Sequence, residues 1–199
     1  MKLETQRLIL RKPKLSDWKD IVEGVGNLKV SRTMGAVPYP YKKKDGLWWI
    51  NKGIKKWKEK TKEDYSFVIE LKSEKKVIGA MGLHKIDKFT GIAETGSWIN
   101  KKYQRKGYIT EAKMVVNEFV FNNLKLRKLY SPIFSINIAS NATQKRMGYR
   151  LEGFLKKHAR CRATGKIYDE NLYGLFKEDW KKNLPKLKKH LKEKIKKLK

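Results

Sequence analysis

Apolar and polar positions alternate along the chain in two rhythms, one of period two and one of period 3.6, and these divide it into short strands and amphipathic helices. Leu8-Ile9-Leu10-Arg11 reads as a first strand, closed off by Pro13. Ser16-Asp17 can cap a helix on which Trp18, Ile21, Val22 and Val25 share one face. Residues 35–41, with Pro38 and Pro40, must be loop. A second helix follows from about Asp45, with Leu47, Ile50, Ile54 and Trp57 on its apolar side. Residues 65–71 and 77–83 flank a polar turn at Ser73-Glu74-Lys75-Lys76 and predict an antiparallel hairpin, and residues 92–99 predict a further strand.

The helical rhythm returns over 108–124, through Ala112, Val115, Val116, Phe119 and Val120. Residues 129–133 predict a strand, 141–147 a short helix stopped by Gly148, and 149–154 and 167–176 two closing strands. The order β-α-α-β-β-β-α-β-α-β-β describes an α+β fold: a mixed, mostly antiparallel sheet flanked by helices, with one strand–helix–strand crossover at its centre.

Size and charge refine this picture. With 199 residues, at about 100–200 residues per domain, the chain is one domain with room for an appendage. The expected division is a globular domain over 1–180 and a lysine-rich segment over 181–199. That segment holds ten lysines against one acid, Glu193, while Leu184, Leu187, Leu191, Ile195 and Leu198 recur at helical spacing and Pro185 suits a first helical turn. It reads as an amphipathic helix docked by its leucines, or as a basic arm reaching RNA, a ribosomal surface or a membrane surface. The whole chain carries 49 Lys and Arg against 20 Asp and Glu, a net charge of +29 that attracts polyanions without naming one. No apolar run approaches the ~20 residues of a membrane span, and the start lacks the apolar stretch of a secretion signal. Together with a single cysteine, Cys161, this predicts a cytoplasmic protein. His84, His158 and His190 lack metal-ligand spacing, so no metal is expected.

The chemistry concentrates at the crossover. After the strand ending Trp98-Ile99-Asn100, the run Gln104-Arg105-Lys106-Gly107-Tyr108-Ile109 opens the long helix. A helix start presents unpaired N–H groups to phosphate oxygens, glycine permits close approach, and Arg105 and Lys106 add charge.

This run resembles the acetyl-CoA signature of the GNAT N-acetyltransferase superfamily, and the chain is similar to its RimJ/RimL-type branch, which acetylates N-terminal amines of ribosomal proteins. The likeness extends over Thr5-Gln6-Arg7-Leu8-Ile9-Leu10-Arg11, Pro38-Tyr39-Pro40-Tyr41, Ala93-Glu94-Thr95-Gly96-Ser97-Trp98-Ile99, Gly107-Tyr108-Ile109-Thr110-Glu111-Ala112, Asn137-Ile138-Ala139-Ser140-Asn141 and Met147-Gly148-Tyr149. It leaves out the lysine-rich segment. Ile109 stands where the family has a small residue, and so should be helical or extended.

The resemblance implies direct acetyl transfer from acetyl-CoA to an amine, with the cosubstrate held by Gln104, Arg105, Lys106, Gly107, Tyr108, Ile109 and Thr110. The resemblance also implies a splayed strand pair in the sheet as the acetyl-CoA slot; backbone N–H groups near Trp98 and Ile99, at the splay, would polarise the thioester carbonyl, and Asn137 would bond the pantetheine or hold its strand end. Glu94 is the candidate general base, or else simply pairs with a basic neighbour. Ser140 is the candidate donor to the departing thiolate, or else a helix cap, with Tyr149, Tyr168 and Tyr173 as alternatives. Tyr39, Tyr41 and Trp49 would face the acceptor, although Trp48 and Trp49 cannot share one helix face. The expected acceptor is a protein N-terminus, of a ribosomal protein above all. A polyamine or aminoglycoside, or RNA bound by an inactive relative, are the alternatives, and the chain is expected to be a monomer or homodimer.

Overall fold

The computed structural model describes residues 1–61 and 63–198. Its centre is one eight-stranded sheet of β1 (Lys2–Glu4), β2 (Leu8–Arg11), β3 (Tyr65–Leu71), β4 (Lys76–Asp87), β5 (Ile92–Ile99), β6 (Lys128–Phe134), β7 (Arg150–Arg160) and β8 (Ile167–Phe176). The strands lie in the order β1-β2-β3-β4-β5-β6-β8-β7. Every neighbouring pair is antiparallel except β5 and β6, which are parallel and joined by the crossover.

Period-two alternation sends successive side chains to opposite faces. Phe67 and Ile69 of β3 join Ile78, Met81, Ala93 and Ile99 in one core, under α4 (Tyr108–Glu118), α5 (Ile138–Met147) and α6 (Lys177–Lys196). Val68 points the other way, into a second core with Val77, Ala80 and Trp98. That core is closed by α1 (Trp18–Val25), α2 (Leu28–Ser31) and α3 (Lys43–Lys58).

The structure departs from the sequence reading at several ends. β1 and α2 are additional short elements, and α4 passes into a π turn over Phe119–Asn123. α5 begins at Ile138 rather than at 141, because the Asn137 side chain accepts the Ser140 N–H and serves as the cap. α6 begins at Lys177 and runs straight through Pro185, so the lysine-rich segment continues a helix already under way. Trp180 and Leu187, on either side of the proline, are buried and hold the helix through the missing hydrogen bond.

The functionally decisive feature is a divergence. β5 and β6 pair only at Ile92↔Lys128, Ala93↔Leu129 and Glu94↔Tyr130. Beyond that rung β5 stays with β4 as far as Gly79↔Ile99, and β6 stays with β8 as far as Phe134↔Glu170. Each strand is thus anchored on its outer side and free on its inner side, which leaves a V-shaped notch in the middle of the sheet. The Ser131 hydroxyl, donating to the Thr95 carbonyl at 2.9 Å, closes its apex.

Candidate active site

At the open end of the notch the chain turns from β5 into α4 through Gln104-Arg105-Lys106-Gly107. Arg105 (φ +65°) and Gly107 (φ +83°) adopt left-handed backbone, while Ile109 is helical as its β-branching requires. The first α4 bond runs from the Glu111 N–H to the Gly107 carbonyl, so the N–H groups of Tyr108, Ile109 and Thr110 precede the helical ladder and face outward from its positive end. Gln104 ties the loop to β5, its Nε2 donating to the Ile99 carbonyl at 3.1 Å.

A second brace comes from the far end of the sequence. The Arg7 guanidinium contacts the Glu111 carboxylate through Nε and Nη2, both at 2.7 Å, and donates from Nη1 to the Lys106 carbonyl at 3.1 Å. It also stacks 4.4 Å from the Tyr108 ring centre. Glu111 is buried and accepts further bonds from the Arg7 N–H and the Thr5 hydroxyl. A buried carboxylate with this many partners fixes the loop's shape, since loss of any partner leaves charge stranded in the core. The role of Arg7 and Glu111 went unseen in the sequence; the signal was a lone acid one turn into a helix that opens on a basic loop.

Inside the notch, Glu94, Gly96 and Trp98 face the α1–α3 side. A Cβ at Gly96 would meet nothing within 4 Å, so the space beyond Glu94 on that face is open. Glu94 pairs with Lys85 Nζ at 2.9 Å. The Tyr130 phenol has its pKa raised by burial, with the negative charge of Glu94 adding to it. The Asn100 N–H bonds the Ile78 carbonyl on β4, so by alternation the backbone of Trp98 also turns toward β4 and that of Ile99 toward the notch. Of the two expected carbonyl-polarising positions, only Ile99 therefore presents its N–H there; the Trp98 indole packs where a side chain on Gly24 would sit.

The opposite wall is the start of α5. Asn137 caps it, and the Asn141 side chain donates to the Phe134 carbonyl at 3.1 Å while accepting from Asn171 at 2.7 Å, which locks the free end of β6. Ser140 lies in the first turn, half-buried, and is not the cap. Tyr149 and Tyr173 are buried in the core, and burial raises the pKa of both phenols, which makes them poor proton donors. Tyr168 packs on Phe134 at 5.2 Å between ring centres, near the notch mouth.

On the α1–α3 side, Tyr39 is 48% exposed in the loop before α3. Tyr41 and Trp49 pack against the second core, and burial, helped by Asp45, pushes the Tyr41 phenol up to about 12. Trp48 is the outward member of the tryptophan pair. Among the described residues no cluster of three or more metal-ligating side chains occurs. His84 and His158 sit beside Asp64 and Glu170 respectively, and Cys161 is buried against the carbonyls of residues 31–34. No helix among the described residues is long and apolar enough to cross a membrane.

These residues fit acetyl-CoA: the amides that follow the left-handed glycine could take a diphosphate, the splayed strand pair leaves room for a pantetheine arm, and the space at Gly96 is open. Comparison with known proteins points the same way. Residues 7–150 match the model of the acetyltransferase (GNAT) domain. The chain is 30% identical over 184 residues to the uncharacterized N-acetyltransferase YnaD of Bacillus subtilis, covering 90% of this chain and 99% of that one. It is 27% identical over 110 residues to the ribosomal-protein-serine acetyltransferase of Escherichia coli, covering 55% and 60%. A crystal structure of a GNAT-family acetyltransferase from Bacillus anthracis superposes with a TM-score of 0.76 at 24% identity, over 89% of this chain and 99% of that one. A left-handed glycine loop at a helix start, a notch beside it and a family match spanning both leave one conclusion: the chain belongs to the GNAT family and is an acetyl-CoA-dependent N-acetyltransferase.

Proposed function

We propose that the acceptor is the N-terminal amine of a polypeptide, of the ribosomal-protein kind, acetylated in the cytoplasm. The observation that carries this reading is the open face of the notch at Gly96, with Glu94 behind it and Tyr39 exposed on the loop before α3. This opening can admit a chain end, and it is not an enclosed pocket. The name of the E. coli relative supports it, as do the outward lysines of α6, which offer an RNA-bearing particle a polyanion-attracting surface.

Bound acetyl-CoA supplies an activated acyl group. The amides of residues 105–110 grip its diphosphate, and the Ile99 N–H donates to the thioester carbonyl oxygen as charge builds there. Glu94, held in place by its pairing with Lys85, takes the ammonium proton directly or through one water, freeing the amine lone pair. Ser140 donates toward the departing sulfur, with Tyr168 as the remaining tyrosine candidate.

Glu94→Gln should lower kcat by about thirtyfold, and Ser140→Ala by about tenfold, with little change in melting temperature. If each variant keeps kcat within about threefold of wild type, these roles are wrong. Incubation with radiolabelled acetyl-CoA and ribosomal proteins should label a polypeptide at its N-terminus. Labelling of polyamines or aminoglycosides with no polypeptide labelled would overturn the protein acceptor.

A further inference from the structure

α6 reaches further than its lysine-rich composition suggests. It starts beside the π turn that ends α4, where Trp180 packs on Phe121, and passes α5, where Asn183 Nδ2 donates to the Arg146 carbonyl at 2.8 Å. It ends against the phosphate loop. A Cβ built on Gly107 would lie 3.1 Å from Leu191 Cδ1, 3.4 Å from Arg7 Nη2 and 3.5 Å from Lys194 Cδ.

The face that docks is thus Trp180, Asn183, Leu187, Leu191 and Lys194, spaced at three and four residues. Leu187 is 1% exposed. Lys192 and Lys196 point to solvent, but Lys194 is half-buried beside Ile195, on the flank of the apolar stripe that faces the loop. Its Cδ reaches the rim of the loop, so the ammonium, one methylene further on, is within reach of a ligand held there.

Charge makes this placement unfavourable for an empty loop. Arg7 and Lys194 meet at the positive end of α4, in a loop that also carries the exposed Arg105 and Lys106, and the nearby acid, Glu111, is already paired with Arg7. A helix C-terminus does favour lysines, but that preference is met by the outward ones and does not require one turned inward. An anion at the loop resolves the repulsion.

We propose that α6 is a structural part of the cosubstrate site and that Lys194 contacts the diphosphate of acetyl-CoA from the side opposite the loop amides. This rests on the reading that residues 104–109 hold that diphosphate. Docking of the last turns of α6 and binding of the cosubstrate then stabilise one another.

Calorimetric titration of the full chain with acetyl-CoA tests it. Lys194→Ala should weaken binding about tenfold and Lys194→Glu about a hundredfold, while the outward control Lys192→Ala stays within twofold. The loss should be the same for 3′-dephospho-CoA; an effect that vanishes with that ligand overturns the assignment to the diphosphate. Saturating acetyl-CoA should also slow tryptic cleavage in residues 192–197 several-fold. If Lys194→Ala and Lys194→Glu both bind within twofold of wild type while Gly107→Val does not bind, α6 is only a structural brace and the inference falls. If Gly107→Val also binds normally, the loop itself has been misplaced.

Discussion

Replacing Gly107 by valine should weaken acetyl-CoA binding by at least two orders of magnitude and lower the protein's stability by about 2 kcal/mol. Two effects add. At φ +83° a β-branched residue is strained by roughly 1–2 kcal/mol, and the backbone relieves that strain by rotating the Tyr108 and Ile109 amides away from the ligand. The new Cβ also falls 3.1 Å from Leu191 and 3.4 Å from Arg7 Nη2, which pushes apart the α6 contact and the Arg7–Glu111 brace. Gly107→Asn separates the two, because asparagine tolerates left-handed backbone but keeps the Cβ: it should recover most of the stability and only part of the affinity. Calorimetric titration alongside thermal melting measures both quantities. An affinity for acetyl-CoA within threefold of wild type in the valine variant would take the loop out of the cosubstrate site.

How much of this was legible in the sequence follows from which interactions are local. Strand and helix periodicity placed the elements near their observed positions, because each buries one face against the sheet. The glycine loop that opens α4 was legible because its ingredients, a glycine, two cations and a helix start, are contiguous. The splayed strand pair is expected from the family resemblance alone: nothing in residues 92–99 or 128–134 themselves marks where pairing stops, since the divergence comes from β4 and β8 holding the two strands from outside. The Arg7–Glu111 brace joins residues 104 apart and could not be read from spacing. Pro185 misled for a physical reason. A proline suits a first helical turn, and the cue that overrode it was Trp180 one turn upstream, whose burial against Phe121 starts the helix earlier. Ser140 looked like a cap because serine often is one, yet Asn137 three residues earlier took that position and left the hydroxyl inside the helix.

The second large effect is expected at Lys113, where substitution should stabilise the protein. This residue is 4% exposed on the sheet-facing side of α4, in line with Val116 and Val120, and its ammonium lies 6.0 Å from the Tyr149 ring centre with no carboxylate paired to it among the described residues. Asn117, one turn on, and the Tyr149 hydroxyl are buried with no hydrogen-bond partner among the described residues. Burial disfavours the charged form and pulls the Lys113 pKa down to about 8. An unfolded lysine titrates at about 10.4, so between about pH 8 and that value the unfolded chain holds a proton the folded chain has released. Stability contributed at this site therefore rises with pH across that window, and at pH 7 the full cost of burying the charge is present. A tenfold change in proton affinity is worth about 1.4 kcal/mol, so the gap between the folded and unfolded lysine amounts to roughly 3 kcal/mol. Lys113→Met, close in shape and uncharged, should raise the melting temperature at pH 7 by about 6–10 °C. The gain should shrink as pH climbs toward 10, because the folded lysine is then neutral and the proton it sheds on folding costs less as pH nears the unfolded value. Melting curves of the two proteins from pH 6 to 10 test this directly: parallel profiles, or a methionine variant less stable than wild type at pH 7, would show that Lys113 is solvated or paired in the fold and carries no penalty to remove.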